Sequence, residues 1–336
     1  MGWKGTVRSI RATIREAERD AKRRQRELER DHKEYQKMQL LEQAAYEVEV
    51  YENKIERIQS LHKDCSETVD WHSIANSSPP VEPIKTATRA TKASFKANNY
   101  TPGFFDKIFK KGERKQKTLN KAVLKAQSED QQEYEDKLRE WKSETADWKE
   151  SADLAKLLFA GDQESKINVI KELNPFSETS RMGSDISFKV HANSIVEAEI
   201  HVHGEDIVPS ETKSLLKSGK LSVKNMPKGM FYGIYQDYVC SCTLRVANEL
   251  FSILPENMVI VTAVDELLNT ESGHKEKLPI LSVAIARKTL LSLKIRYIDP
   301  SDSMSNFIHN MSFKKTKGFE SVERVDPMGL SNERLR

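Results

Sequence analysis

The stretch Ile195–His203, IVEAEIHVH, alternates apolar and polar residues from Val196 onward. Successive side chains of a β-strand point to opposite faces of a sheet, so this alternation predicts a strand with one buried face and one polar face. The polar face would carry Glu197, Glu199, His201 and His203. We therefore expect a sheet that is built around this strand.

Segments on both sides of this stretch have strand-like or helical patterns. The strand-like segments are Ser187–His191, Met258–Asp265 and Pro279–Arg287, and the helical segment is Tyr232–Leu254. A last helix is expected in SMSNFIHNM, with Ser301 or Asp302 as its cap. The predicted order is β-β-α-β-β-α, in a small α+β domain over residues 160–325 that is followed by a flexible tail over 326–336.

Two segments between these elements are predicted to be a turn and a loop. Asn269–Gly273, NTESG, predicts a hairpin turn in which Gly273 takes the positive φ that such turns often need. Residues 219–233, GKLSVKNMPKGMFYG, are basic and contain glycine, and we expect a mobile surface loop there. The chain has no Gly-rich phosphate-binding loop and no Gly-x-Ser-x-Gly turn, which disfavours a nucleotide motor and a serine hydrolase.

The first half of the chain has the pattern of long amphipathic helices. Apolar residues recur at intervals of three and four, first at Ile14, Ala17, Ala21, Leu28, Tyr35 and Met38, and then, after a shift of phase, at Leu41, Ala45, Val48, Ile55 and Ile58. A second series comprises Leu124, Tyr134, Leu138, Trp141, Trp148, Ala152 and Ala155. These series predict two long helices over about residues 7–62 and 104–159.

Each predicted helix has an apolar stripe that another helix can cover. We expect the two helices to cover each other as a long antiparallel hairpin, a coiled-coil arm over residues 1–159 with a flexible connection over about 64–103. Residues 129–150 hold nine acidic and four basic residues. In the antiparallel hairpin they would lie along the basic early part of the first helix, where opposite charges attract. An intermolecular coiled coil would satisfy the same stripes, so a homo-oligomer is the alternative.

The far end of this arm would carry the stretch Asn98–Lys117, NNYTPGFFDKIFKKGERKQK, which combines aromatic and basic residues. The candidate macromolecule-binding residues are Phe104, Phe105, Phe109, Lys110, Lys111, Arg114 and Lys115. Three interpretations stay open. The aromatic residues pack back onto the first helix, or they enter a membrane surface or a protein partner, or the basic residues bind a nucleic-acid backbone.

The polar face of the predicted strand Ile195–His203 is also a candidate metal site. A His-x-His pair on one face can chelate a transition metal, and a neighbouring carboxylate can complete the site, which makes His201, His203 and Glu199 the candidate ligands. The alternative is a solvated sheet face, which alternation predicts without any metal. We predict no cofactor, and a divalent metal is the alternative.

A nuclease of the restriction-enzyme kind has an outline similar to that of the second half of the chain. Such an enzyme places an Asp at the end of one strand and an acidic residue and a Lys on the next, where they hold a metal. Asp265 occupies the first place, but no acidic residue lies between Lys277 and Arg287. Glu266 or Glu271 would have to supply the second carboxylate from the turn.

Composition limits the function only broadly. The chain has 54 Lys and Arg against 51 Asp and Glu, and its three cysteines cannot form a disulfide framework. No apolar run reaches the roughly 18 residues of a membrane-spanning helix, so we expect a cytoplasmic protein. We predict a non-catalytic interaction or scaffold protein whose arm binds a macromolecular partner, with a protein favoured over nucleic acid or a membrane surface. The competing prediction is a metal-dependent nuclease that the arm delivers to nucleic acid.

Overall fold

The computed structural model describes residues 3–64, 66–102, 112–176, 183–268 and 273–330. The chain folds into two compact units. The sheet unit comprises Met1–Thr68 and Val169–Arg336, and the helical unit comprises Val69–Asn168. The first long helix therefore groups with the sheet, whereas the sequence pattern groups it with the second long helix. The α+β class is confirmed in outline.

Within the described residues, the sheet unit contains a six-stranded sheet of order β1-β2-β5-β6-β7-β8 and a separate two-stranded hairpin of β3 Glu211–Leu215 and β4 Leu221–Asn225. The strands of the sheet are β1 Gly183–Val190, β2 Val196–Val202, β5 Met258–Leu268, β6 Lys275–Ala286, β7 Ile308–Lys314 and β8 Gly318–Glu320. Strands β2 and β5 are parallel, and the other neighbours are antiparallel. All four predicted strands are present.

The helices within the described residues are α1 Trp3–Gln59, α2 Trp71–Ala75, α3 Thr88–Asn98, α4 Gly112–Phe159, α5 Gln163–Leu173, α6 Lys228–Ile253, α7 Arg287–Ser292 and α8 Pro300–Ser303. Helix α6 connects the hairpin β3-β4 to β5 and packs on the central strands. Its residues Tyr235, Tyr238 and Leu244 are almost completely buried. Burial of these aromatic and aliphatic side chains supplies the core of the sheet unit. The predicted helix over Tyr232–Leu254 is thus present, and Cys240 and Cys242 are small core residues.

The segment predicted to be the last helix is helical only at its start. The Asp299 side chain accepts hydrogen bonds from the backbone N–H groups of Ser301 at 2.9 Å and Asp302 at 3.0 Å, so Asp299 is the cap of α8. The predicted caps, Ser301 and Asp302, lie inside the helix. The chain then forms β7, in which Ile308 and Met311 pair with β6. The helix prediction is wrong beyond residue 307 because the exposed edge of β6 offers backbone hydrogen bonds that a helix would forgo.

The predicted loop over residues 219–233 is also different. It contains strand β4, Leu221–Asn225, which pairs antiparallel with β3, Glu211–Leu215, and it ends in the first turns of α6. Gly219 adopts a φ of +77° in the turn between these strands. The prediction of a hairpin turn before β6 holds at Gly273, which has a φ of +71°, while residues 269–272 lie outside the described residues.

Helix α1 is a single helix of 57 residues, about 85 Å long at about 1.5 Å per residue. One face of its C-terminal part packs on α6 and on the hairpin β3-β4. The buried residues of this covered face are Ala44, Val48 and Ile58. Lys213 of β3 pairs with Glu47 at 2.9 Å, and Gln59 donates a hydrogen bond to Asp237 of α6 at 2.7 Å. These contacts fix α1 to the sheet unit.

His62 continues this attachment just after α1 ends. Its backbone N–H donates to Ser241 Oγ at 3.0 Å, and its Nδ1 lies 2.8 Å from the same oxygen. The side chain is buried. Burial, together with the nearby charge of Lys63, lowers the pKa of His62 below its ordinary value. The folded sheet unit therefore favours a neutral imidazole at this position.

We expect the stability of the sheet unit to decrease as the pH falls below about 6.5, because the unfolded chain then takes up a proton on His62 before the folded chain does. The free energy of unfolding, measured at about pH 7.5 and at about pH 5.5, should decrease more for the natural chain than for the His62→Gln variant. Equal decreases in the two proteins would contradict this expectation.

In the helical unit, residues 69–102 lie antiparallel along α4, and we call this segment the strap. The Trp148 indole N–H donates to Ser77 Oγ at 2.8 Å, and the Trp141 indole N–H donates to the Pro80 carbonyl oxygen at 3.0 Å. Further along, the Gln116 side chain donates to the carbonyl oxygen of Ala97 at 3.2 Å. The strap therefore covers α4 over most of its length.

The strap corresponds to the segment that the sequence predicts to be a flexible connection. It contains α2 and α3, and residues 76–87 between them form neither helix nor strand. The carbonyl oxygens of Ser77 and Pro80 in this segment accept hydrogen bonds from the indole N–H groups of Trp148 and Trp141. The predicted pairing of α1 with α4 stays a prediction, because the two helices belong to different units.

Candidate functional site

The polar face predicted for β2 exists, and it is occupied by ion pairs. Arg324 Nη1 lies 3.2 Å from Glu197 Oε1, and its Nη2 contacts the carboxylate of Glu199. On the other side, His191 Nε2 lies 2.7 Å from Glu197 Oε2. Burial raises the pKa of Glu199, but hydrogen bonds and charge from Arg324 and His201 outweigh this effect, and the pKa lies below its ordinary value. The carboxylate of Glu199 is therefore held ionised.

The side chains of two candidate metal ligands, Glu199 and His201, have other partners in the structure. His201 Nε2 lies 3.1 Å from Glu199 Oε1, and His201 Nδ1 lies 3.1 Å from Lys277 Nζ, so both ring nitrogens are engaged. His203 donates its backbone N–H to Tyr238 Oη at 3.0 Å. Within the described ranges, no group of three or more His, Cys, Asp or Glu residues could hold a metal ion. A metal site at His201, His203 and Glu199 stays a prediction.

A cavity of about 740 Å³ lies at the carboxyl ends of the parallel strands β2 and β5. The polar residues that line it include His201, His203, Glu205, Asp265, Glu266 and Lys277. In open α/β sheets, ligands commonly bind outside the carboxyl ends of parallel strands. The cavity therefore brings together His201 of β2 and His203, which follows β2, with the acidic residues that the nuclease outline requires, except Glu271, which lies outside the described residues.

Asp265 is fixed at the edge of this cavity by two donors. The buried Tyr235 donates its hydroxyl to Asp265 Oδ2 at 2.5 Å, and the backbone N–H of Glu266 donates to Asp265 Oδ1 at 2.7 Å. Burial and the charge of Asp265 raise the pKa of Glu205. The sequence pattern does not indicate that Tyr235 and Glu205 lie at this site. The only available signal for Glu205 was its position two residues after the His-x-His pair.

Most of the predicted macromolecule-binding residues, namely Phe104, Phe105, Phe109, Lys110 and Lys111, lie outside the described residues. Arg114 and Lys115 lie in the first turn of α4 and are exposed, and Lys115 Nζ is 5.5 Å from the ring centroid of Tyr100. Throughout the part of the chain that the structure describes, no helix has both the length and the apolarity to cross a membrane. Binding through this stretch stays a prediction.

Helix α1 has a second apolar face that the sheet unit does not cover, and we call it the open stripe. Its residues and their exposed fractions are Leu28 69%, Tyr35 56%, Met38 55%, Tyr46 67% and Val50 48%. With about 3.6 residues per turn, Leu28, Tyr35 and Tyr46 lie within about 20° of one another around the helix axis. Val48 of the covered face lies about 160° from Tyr46. The two apolar series in the first half of the chain, which a shift of phase separates, therefore lie on two different faces of α1.

No family model matches this chain, and neither a curated protein nor a solved structure is significantly similar to it. The functional interpretation therefore depends on the open stripe, the cavity and the chemistry of their residues.

Proposed function

We propose that the protein is a non-catalytic interaction or scaffold protein, and that the open stripe of α1 binds a macromolecular partner, most favourably a protein. The observation that carries this proposal is the exposure of large apolar side chains on the face of α1 opposite its covered face. A helix that only packed on its own domain would need one apolar face. The second apolar face of α1 is available for a partner.

The length and chemistry of the open stripe suit a helical partner. Leu28 and Val50 are separated by 22 residues, or about 33 Å along the axis. Acidic and basic residues flank the stripe, and Arg30 pairs with Glu34 at 3.3 Å on the exposed surface. Mixed charge around an apolar seam is typical of coiled coils, whereas a nucleic-acid backbone requires clustered basic residues. The predicted coiled coil is therefore retained in this proposal, with a helix of another chain as the partner.

A photoreactive phenylalanine analogue placed at Tyr35 in cells is expected to form covalent adducts with protein, because this side chain would lie inside the interface. The matched control is the same analogue at Leu40, which is 66% exposed and lies about 140° away around the helix. Adducts at Tyr35 should exceed those at Leu40 by about tenfold. Equal yields at the two positions, or no adducts at Tyr35, would contradict the proposal.

The metal-dependent nuclease is the alternative function, and the cavity at the ends of β2 and β5 is its candidate active site. The contacts there favour the non-catalytic proposal. His201 is held between Glu199 and Lys277, and Asp265 receives the hydroxyl of Tyr235. A metal ion that used His201 as a ligand would have to displace Glu199 or Lys277 from its ring nitrogens.

A further inference from the structure

The charges of α1 are segregated along its axis. Residues 3–26 contain nine Lys or Arg and three Asp or Glu, a balance of +6. Residues 27–59 contain five Lys or Arg and nine Asp or Glu, a balance of −4. The helix is therefore basic toward its N-terminus and acidic toward its C-terminus, and the change of sign occurs between Arg26 and Glu27.

We propose that the partner of the open stripe is a second copy of this chain, whose α1 lies antiparallel to the first. This inference rests on the function proposed above and names its partner. An antiparallel arrangement places the basic part of each helix along the acidic part of the other. A parallel arrangement would place like charges side by side. Their electrostatic repulsion is unfavourable, and it is strongest at low salt. The charge distribution of α1 is thus complementary to itself, and for a second copy it selects the antiparallel direction.

The two faces of α1 make this pairing compatible with the fold of each copy. The covered face, with Ala44, Val48 and Ile58, stays on its own sheet unit, while the open stripe faces the second copy. The dimer is isologous with two-fold symmetry, and the open stripe of each copy lies along residues 3–25 of the other copy's α1. Leu28, Tyr35 and Tyr46 are more than half exposed in the single chain, so their burial in the dimer contributes favourable free energy.

The charge reversal also predicts the register. When the two-fold axis passes near the junction of Arg26 and Glu27, the two copies of Leu28 lie about 5 Å apart along the helix axes, whereas the two copies of Tyr35 lie about 26 Å apart. A parallel dimer would bring each residue next to its own copy. Position 28 and position 35 therefore distinguish the two directions.

Sedimentation equilibrium of the full-length chain in low salt is expected to give twice the mass of one chain. The double variant Leu28→Asp/Tyr35→Asp should weaken dimerisation by at least about tenfold, while Leu40→Asp, which changes an exposed apolar residue outside the stripe, should leave it unchanged. Far-ultraviolet circular dichroism checks that each variant keeps its helix content. A monomer at every concentration, or equal weakening by Leu40→Asp, overturns the inference.

Short bis-maleimide cross-linking of single variants tests the direction. Leu28→Cys should give a covalent dimer in high yield, Tyr35→Cys should give no more than the natural chain, and the natural cysteines supply that background. Efficient cross-linking of both variants overturns the antiparallel arrangement. A monomer whose photoreactive Tyr35 analogue still gives adducts with another protein overturns only the choice of partner, whereas the absence of any adduct overturns the proposed function itself.

Discussion

Replacement of Arg245 by Met is expected to lower the free energy of unfolding of the sheet unit by about 3–5 kcal/mol. Arg245 Nη2 lies 2.8 Å from Glu249 Oε1 within α6, and Glu249 is completely buried. Ser66 donates its backbone N–H to the same carboxylate at 3.3 Å. Met keeps most of the apolar stem of Arg but removes the charge, so the variant leaves a buried carboxylate without its cation.

Hydrogen exchange of the amides in α6 and β5 measures this loss inside the sheet unit. The control Arg296→Met changes an exposed Arg and should alter the stability by less than about 0.5 kcal/mol. The double variant Arg245→Met/Glu249→Leu should recover most of the loss, because well-packed apolar side chains can replace a buried ion pair without penalty. If the single variant Arg245→Met is as stable as the natural chain, the expectation is contradicted, because the Glu249 carboxylate must then be hydrated.

Replacement of Asp130 by Ala is expected to destabilise the helical unit by about 2 kcal/mol and to loosen α3 from α4. Helix α3 has no side-chain cap of its own at Ala87. Instead, Asp130 of α4 accepts hydrogen bonds from the backbone N–H of Ala90 at 2.8 Å and of Arg89 at 3.3 Å. A carboxylate at this position also interacts favourably with the positive end of the helix dipole.

Tryptophan fluorescence during urea unfolding measures the effect in this unit, because Trp71, Trp141 and Trp148 all belong to it. A Trp3→Phe background removes the remaining tryptophan. Asp130→Asn, which keeps one acceptor oxygen, should lose about half as much stability as Asp130→Ala. Asp136→Ala is the control, since its carboxylate is exposed and pairs only locally with Arg139. Equal effects of Asp130→Ala and Asp136→Ala would contradict a capping role.

The elements of the sheet could be predicted because their patterns are local. Alternation identified β2, and the long apolar run before Pro255 identified α6. The segment after Asp299 could not be predicted, since residues 308–311 become a strand only through pairing with β6. The β3-β4 hairpin was missed for a related reason. Its strands are short and mostly polar, and contacts with α1 are needed to stabilise them.

The candidate site was predicted in part. Alternation placed His201 and Glu199 on one face of β2, but it could not show that Arg324 and Lys277, which are distant in sequence, would bind them. The strap was predicted to be a flexible connection, because segments that contain Pro and Ser and few apolar residues are often disordered. Its order depends on the indole donors of Trp141 and Trp148. Both errors concern partners that no local pattern reveals.

Among the side chains of α1 that the structure describes, those of the covered face in its C-terminal part pack on the sheet unit, so a change in the length of the N-terminal part leaves that face unchanged. Each residue added before Leu28 moves the first turn outward by about 1.5 Å and rotates it by about 100°. An insertion of about 18 residues therefore completes five turns, adds about 27 Å of reach and restores the original azimuth. In the proposed antiparallel dimer, insertions of this kind change the distance spanned by whole helical turns. The hydrophobic core of the sheet unit stays unchanged.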